Sequence, residues 1–166
     1  MSVLDDANDA WREGRIVDAR RAYLAIVRSD PTAWGAAMQL AWFDAVFGRL
    51  PLPRARAMDR PALGELARSL VRALVAMAET PEPLDGAEDD WDLDAMRRRS
   101  PDAPAPWWEE RARTAARAGL YGVALAAFEE AEALSPASYW DPPRWSQTLP
   151  GQVETHLRAI AEPFAA

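Results

Sequence analysis

The stretch GLYGVALAAFEEAEALSP, Gly119 to Pro136, decides how this chain reads. Gly119, Tyr121, Ala124, Phe128, Ala131 and Pro136 are echoed by Gly14, Ile16, Ala19, Tyr23, Ile26 and Pro31, each 105 residues before its counterpart. Small-then-large residues at helical spacing describe a helix that approaches a neighbour closely through Ala and wedges a large ring beside it. A proline that cannot continue the helix then closes the unit. Two such helices predict an all-α chain built from repeated helical hairpins.

Outward from these helices the pattern stays helical. Ser2 with Asp5 three residues on resembles a capping box, opening a helix through about Arg12. After Gly14 a second helix runs from about Val17 to Arg28, and Asp30-Pro31 suits the start of a third, as cap and first helical position. That third helix, about 32–47, is apolar on nearly every face, with Trp34, Met38, Trp42 and Ala45 on one stripe and Leu40, Phe43 and Phe47 on another. Such a helix is packed on both sides. A basic loop holding Arg54, Arg56 and Arg60 precedes a helix over about 61–79. The next segment, 80–104, reads as a loop rich in proline and acid, with one short helix near Asp90 to Arg98, whose acidic start and basic end suit the helix dipole. Helices over about 107–118 and 122–134 follow, then a proline-rich connector, 135–150, and a capping helix over 151–162 with Val153, Leu157 and Ile160 inward. The expected hairpins therefore cover about 2–30, 32–79 and 105–135 of a single domain spanning 1–166.

Composition narrows the function. The chain has 166 residues, a net charge of −7 and no cysteine. Disulfides, thiolate metal sites and cysteine nucleophiles are excluded, and the negative charge argues against nucleic acid. All 19 basic residues are Arg, which, with abundant Ala and Pro, suits a high-GC bacterial genome. The acidic first ten residues lack a basic-then-apolar leader pattern, and the apolar run Trp34 to Phe47 is too short to span a bilayer. A cytoplasmic location with no membrane contact is the expectation.

The two echoed motifs resemble the second helix of the tetratricopeptide repeat, a 34-residue unit of two antiparallel helices. Trp108 stands where that family places its first-helix Trp. The chain departs from the family at its Leu-Gly pair, which is Arg111-Ala112 in the last unit and Asp6-Ala7 in the first, and the middle unit lacks the second-helix signature. The resemblance implies a short right-handed superhelix whose first helices line a concave, peptide-binding groove. Its groove-facing positions fall on Asn8, Trp11 and Arg12, on Gln39, Trp42 and Phe43, and on Glu109, Arg113 and Arg117. A terminal-carboxylate clamp of the kind one subfamily builds from Lys and Asn is disfavoured, since Leu4 replaces the basic residue and the chain has no Lys. Arg113 and Arg117, four apart, are either a grip for an acidic group or a solvated helix face.

Other constellations are weaker. Trp34 and Trp42 suit the core, whereas Trp107, Trp140 and Trp145 lie beside prolines, where they either anchor a partner or staple loops to helices. The run Glu88, Asp89, Asp90, Asp92 and Asp94 invites a calcium reading, but Ala95 and Pro101 occupy the loop positions that need Gly and Glu. Internal pairing of this run with Arg54, Arg56 and Arg60 is the simpler account. His156, the one histidine, shares a helix face with Val153 and Ile160, and no phosphate loop or nucleophile elbow occurs, so neither an enzyme nor a cofactor or metal site is expected. Two functions remain: a protein-interaction module using the first-helix face and the Trp-bearing loops, or an immunity-like acidic protein that neutralises a basic toxin through 82–94.

Overall fold

A computed structural model describes residues 2–61, 63–135 and Gly151. The expected capping helix 151–162 beyond Gly151, His156, Trp140 and Trp145 lie outside the described residues. The described chain is all-α, with eight α-helices, one 3-10 turn and no strand among those residues. The helices are α1 (Val3–Arg12), α2 (Ile16–Ser29), α3 (Trp34–Val46), α4 (Leu52–Ala57), α5 (Glu65–Glu79), α6 (Leu93–Arg99), α7 (Ala105–Ala118) and α8 (Tyr121–Ala133), with the 3-10 turn at Glu88–Trp91. They divide into two compact units, whose described parts are 2–7 with 20–85, and 8–19 with 86–135 and Gly151.

Capping and turn chemistry set the helix boundaries. Ser2 and Asp5 form the reciprocal pair expected of a capping box: the Asp5 N–H donates to Ser2 Oγ and the Ser2 N–H to Asp5 Oδ2, both at 3.1 Å. The Ser2 hydrogen bonds hold the Asp5 carboxyl below its ordinary range. Three turns share one hydrogen-bond pattern. Gly14 N–H donates to Trp11 O (3.1 Å) and Arg15 N–H to Ala10 O (2.9 Å); Gly48 pairs with Ala45 (3.0 Å) and Arg49 with Asp44 (2.7 Å); Gly119 pairs with Ala116 (3.1 Å) and Leu120 with Ala115 (2.9 Å). This is the Schellman closure, which needs a left-handed residue, and the three glycines have φ of 80°, 71° and 89°. The echo between Gly14 and Gly119 is thus an identity of turn geometry, and Gly48 adds a third copy.

In the first unit α3 supplies the core. Trp34, Met38, Gln39, Leu40, Trp42 and Phe43 are all buried, and the Phe43 ring lies 6.4 Å from that of Tyr23. Trp34 Nε1 donates to Met58 O at 3.2 Å, so its polar edge is satisfied inside the unit. α5 packs against both α3 and α4. Three features differ from expectation. α3 begins at Trp34 because Asp30 spends its carboxylate on a local turn, accepting from Thr32 N–H (3.0 Å) and Thr32 Oγ1 (2.6 Å). The segment read as a basic loop contains α4, whose Pro53 falls in the first turn, where a missing N–H costs nothing. α5 starts at Glu65, after Gly64 and a Leu63-to-Arg60 turn.

In the second unit α7 and α8 form the main packed pair, and α6 lies on α8 and on the 3-10 turn. Trp108, Ala112 and Ala115 from α7 meet a core with Ala124, Phe128 and Ala131 from α8, all buried. Gly122 marks the closest approach of two backbones. A Cβ there would stand 1.9 Å from the Trp11 carbonyl oxygen and 3.2 Å from the Arg12 Cα. Only a residue without a side chain admits that crossing.

The acid-and-proline segment is ordered by its own side chains. Asp92 caps α6 by accepting from Ala95 N–H (3.2 Å), and its other oxygen accepts from Val17 N–H at the start of α2 (3.0 Å). Leu93 N–H donates to Gly14 O (2.9 Å), completing a seam between 92–93 and 14–17. Arg111 adds contacts of its own. Its guanidinium carbon sits 4.6 Å from the Trp91 ring centre and 5.1 Å from that of Trp107, between two indoles. Trp107 is in the first turn of α7 and packs edge-on against Trp108 at 4.9 Å. Replacing Arg111 with Leu keeps the apolar stem and removes the cation; we expect a stability loss of roughly 1–2 kcal/mol in equilibrium unfolding. An unmoved midpoint would show that the sandwich contributes nothing.

Candidate functional site

The second unit holds a cleft of about 490 Å³, lined by Arg12, Glu13, Arg15, Asp94, Arg97, Glu129 and Glu130 around Leu93, Leu125 and Ala126. Three elements place these side chains. Arg12 ends α1, and Glu13 and Arg15 flank the left-handed Gly14; Leu93, Asp94 and Arg97 come from α6. Leu125 and Glu129, and Ala126 with both Glu129 and Glu130, are three or four residues apart on α8 and so share a face. The floor is apolar, with Leu93 and Ala126 buried and Leu125 half-buried.

The cleft's arginines are engaged by carboxylates. Arg12 Nη1 lies 3.5 Å from Asp9. Arg15 contacts Glu13 at 2.6 Å and Asp18 at 3.2 Å, and those bonds, Glu13's above all, raise its already high pKa. Arg97 donates to Glu130 through Nε at 2.8 Å and through Nη2, with Asp94 at 3.9 Å from Nη1. Glu129 differs: among the described residues it makes no ion pair. Burial raises its carboxyl pKa above the ordinary value, and the neighbouring charges of Glu132 and Glu130 raise it further.

The residues assigned to a repeat groove divide by burial. Asn8, Trp11, Gln39, Trp42 and Phe43 are buried, Gln39 at 0% and Trp42 at 5% exposure, so they pack inside the fold instead of facing a groove. Gln39, Trp42 and Phe43 lie on α3, which is apolar nearly all round and buried at most of its positions. Arg12 is exposed and reaches the cleft. Glu109 and Arg113 are half-buried and joined by two hydrogen bonds to one oxygen, with Arg113 Nη2 and Nε at 2.7 and 3.1 Å from Glu109 Oε1, so Arg113 is engaged within its own helix. Arg117 is exposed, its Nη2 3.3 Å from Thr114 Oγ1.

The acidic run divides likewise. Asp92 is 5% exposed and consumed as a double cap. Asp90 accepts from Ala87 N–H at 2.9 Å and pairs with Arg99; the backbone bond first, then the guanidinium, hold its carboxyl below the ordinary range. Asp94 reaches the cleft, Glu88 is half-buried and Asp89 is exposed. Within the first unit Arg54 meets Asp44 at 2.5 Å and Arg56 meets Glu79 at 3.8 Å. Among the cleft residues, Glu13, Arg15, Leu125 and Ala126 escaped sequence reading. The i, i+4 spacing of Leu125 and Glu129 was visible, but nothing in it revealed that α6 would flank them.

No family model, curated protein or solved structure matches the chain. The function rests on the geometry.

Proposed function

We propose that this chain is a non-enzymatic helical interaction module of the bacterial cytoplasm that binds a protein segment in the α6–α8 cleft. The cleft carries the reading: an apolar floor inside a rim of alternating charge is the anatomy of a surface that seats an apolar anchor and orients it by polar contacts. The recurring glycine turn supports a repeat-like construction similar to the tetratricopeptide family, Gly14 and Gly48 being 34 residues apart. The acidic-neutraliser alternative has less support, because Asp90, Asp92 and Asp94 already have partners within the chain.

A photo-crosslinking amino acid at position 125 should trap a partner in the source cells. Binding of the purified partner should then weaken at least about tenfold, roughly 1.4 kcal/mol, in Leu125→Asp and stay unchanged in Arg117→Ala. Undiminished binding by Leu125→Asp would remove the cleft from consideration. Steep loss of binding with salt, matched by Asp89→Asn, would favour the neutraliser instead.

A further inference from the structure

We infer that the cleft receives a lysine or arginine side chain of the partner protein, its alkyl stem on Leu125 and Ala126 and its cationic end at Glu129. The inference rests on the reading of the cleft as a binding surface and names the chemistry that surface selects. Seven charged side chains line it, three guanidiniums and four carboxylates. Each guanidinium already faces a carboxylate: Arg12 has Asp9, Arg15 has Glu13 and Asp18, and Arg97 has Glu130 and Asp94. An incoming anion would have to displace one of these pairs.

Glu129 is the opposite case. It makes no ion pair among the described residues, and the charges beside it on α8, Glu130 and Glu132, repel its own. A cation arriving there lifts that repulsion and breaks no existing pair, since Arg97 continues to hold Glu130. The floor then selects the kind of cation. Long basic side chains bury their methylenes along apolar surface and keep the charge at its edge, which matches Leu125 and Ala126 lying one turn and three residues before Glu129. A cleft of about 490 Å³ is within the range of sites that enclose small ligands or anchors.

The test uses the full chain with labelled glutamate carboxyls, followed by NMR, and two blocked peptides: leucine-lysine-leucine and its norleucine isostere. The lysine peptide should bind about tenfold more tightly than the isostere, and it should move the Glu129 titration to lower pH. Glu129→Gln should abolish the difference between the peptides. Equal affinities, with both peptides weakened by Leu125→Asp, would overturn the cationic assignment and leave the cleft as an apolar docking site. If neither peptide perturbed Leu125 or Glu129, the cleft reading would fall together with the inference.

Discussion

Gly122→Ala should destabilise the protein by roughly 3 kcal/mol or more, although alanine is the better helix former. The added carbon would lie 1.9 Å from the Trp11 carbonyl oxygen and 2.8 Å from its carbon, inside any permissible contact. These are backbone atoms near the end of α1, so no side-chain rotation relieves the overlap; a helix must move. The propensity gain of about 1 kcal/mol offsets only part of this. For a chain of this size the midpoint of thermal unfolding should fall by about 6–12 °C. Gly151→Ala is the control, since nothing lies within 4 Å of a Cβ there. A Gly122→Ala protein as stable as the parent would mean that α8 does not cross α1 so closely.

Asp92→Ala should cost about 2–4 kcal/mol. The carboxylate is buried and serves two donors, Ala95 N–H at the start of α6 and Val17 N–H at the start of α2. Removing it forfeits a helix cap, about 1 kcal/mol. It also leaves the Val17 amide without that acceptor, at about 1–3 kcal/mol. Asp92→Asn should fall between parent and alanine variant, because its amide keeps one acceptor and turns a donor toward the other N–H. Hydrogen exchange gives the local readout: the Val17 and Ala95 amides should lose protection before those of α8. A loss below about 0.5 kcal/mol, with both amides still protected, would show that water replaces the cap.

Both sites show where sequence reasoning stops. The helix-turn-helix plan was legible because it rests on local physics. The Ser2–Asp5 cap, the left-handed Gly14 and Gly119, and the alternation of Ala19 with Tyr23 and of Ala124 with Phe128 are decided within a few residues. The short helix near 90–98 was legible through its acidic start and basic end. The same local view misplaced α4, because two prolines read as a break when one of them occupies a helix's first turn. It also gave Asp30 to the wrong structure, a cap instead of a turn.

The candidate site lay beyond that reach. Trp11, Gln39, Trp42 and Phe43 sit at positions a repeat would offer to a partner, yet long-range packing buries them. Asp92 looked like one member of a solvated acidic run, and only the approach of the 14–17 turn makes it a buried double cap. The sequence by itself determined that this chain is helical, where its glycine turns fall and which helix is apolar on every face. The tertiary structure alone decided which charges find partners, that Arg111 lies between two indoles, and that Leu125 and Glu129 border a cleft with α6. The physical reason is one of range. Helix periodicity and capping are settled by neighbours a turn away, whereas burial and charge pairing depend on side chains that only folding brings together.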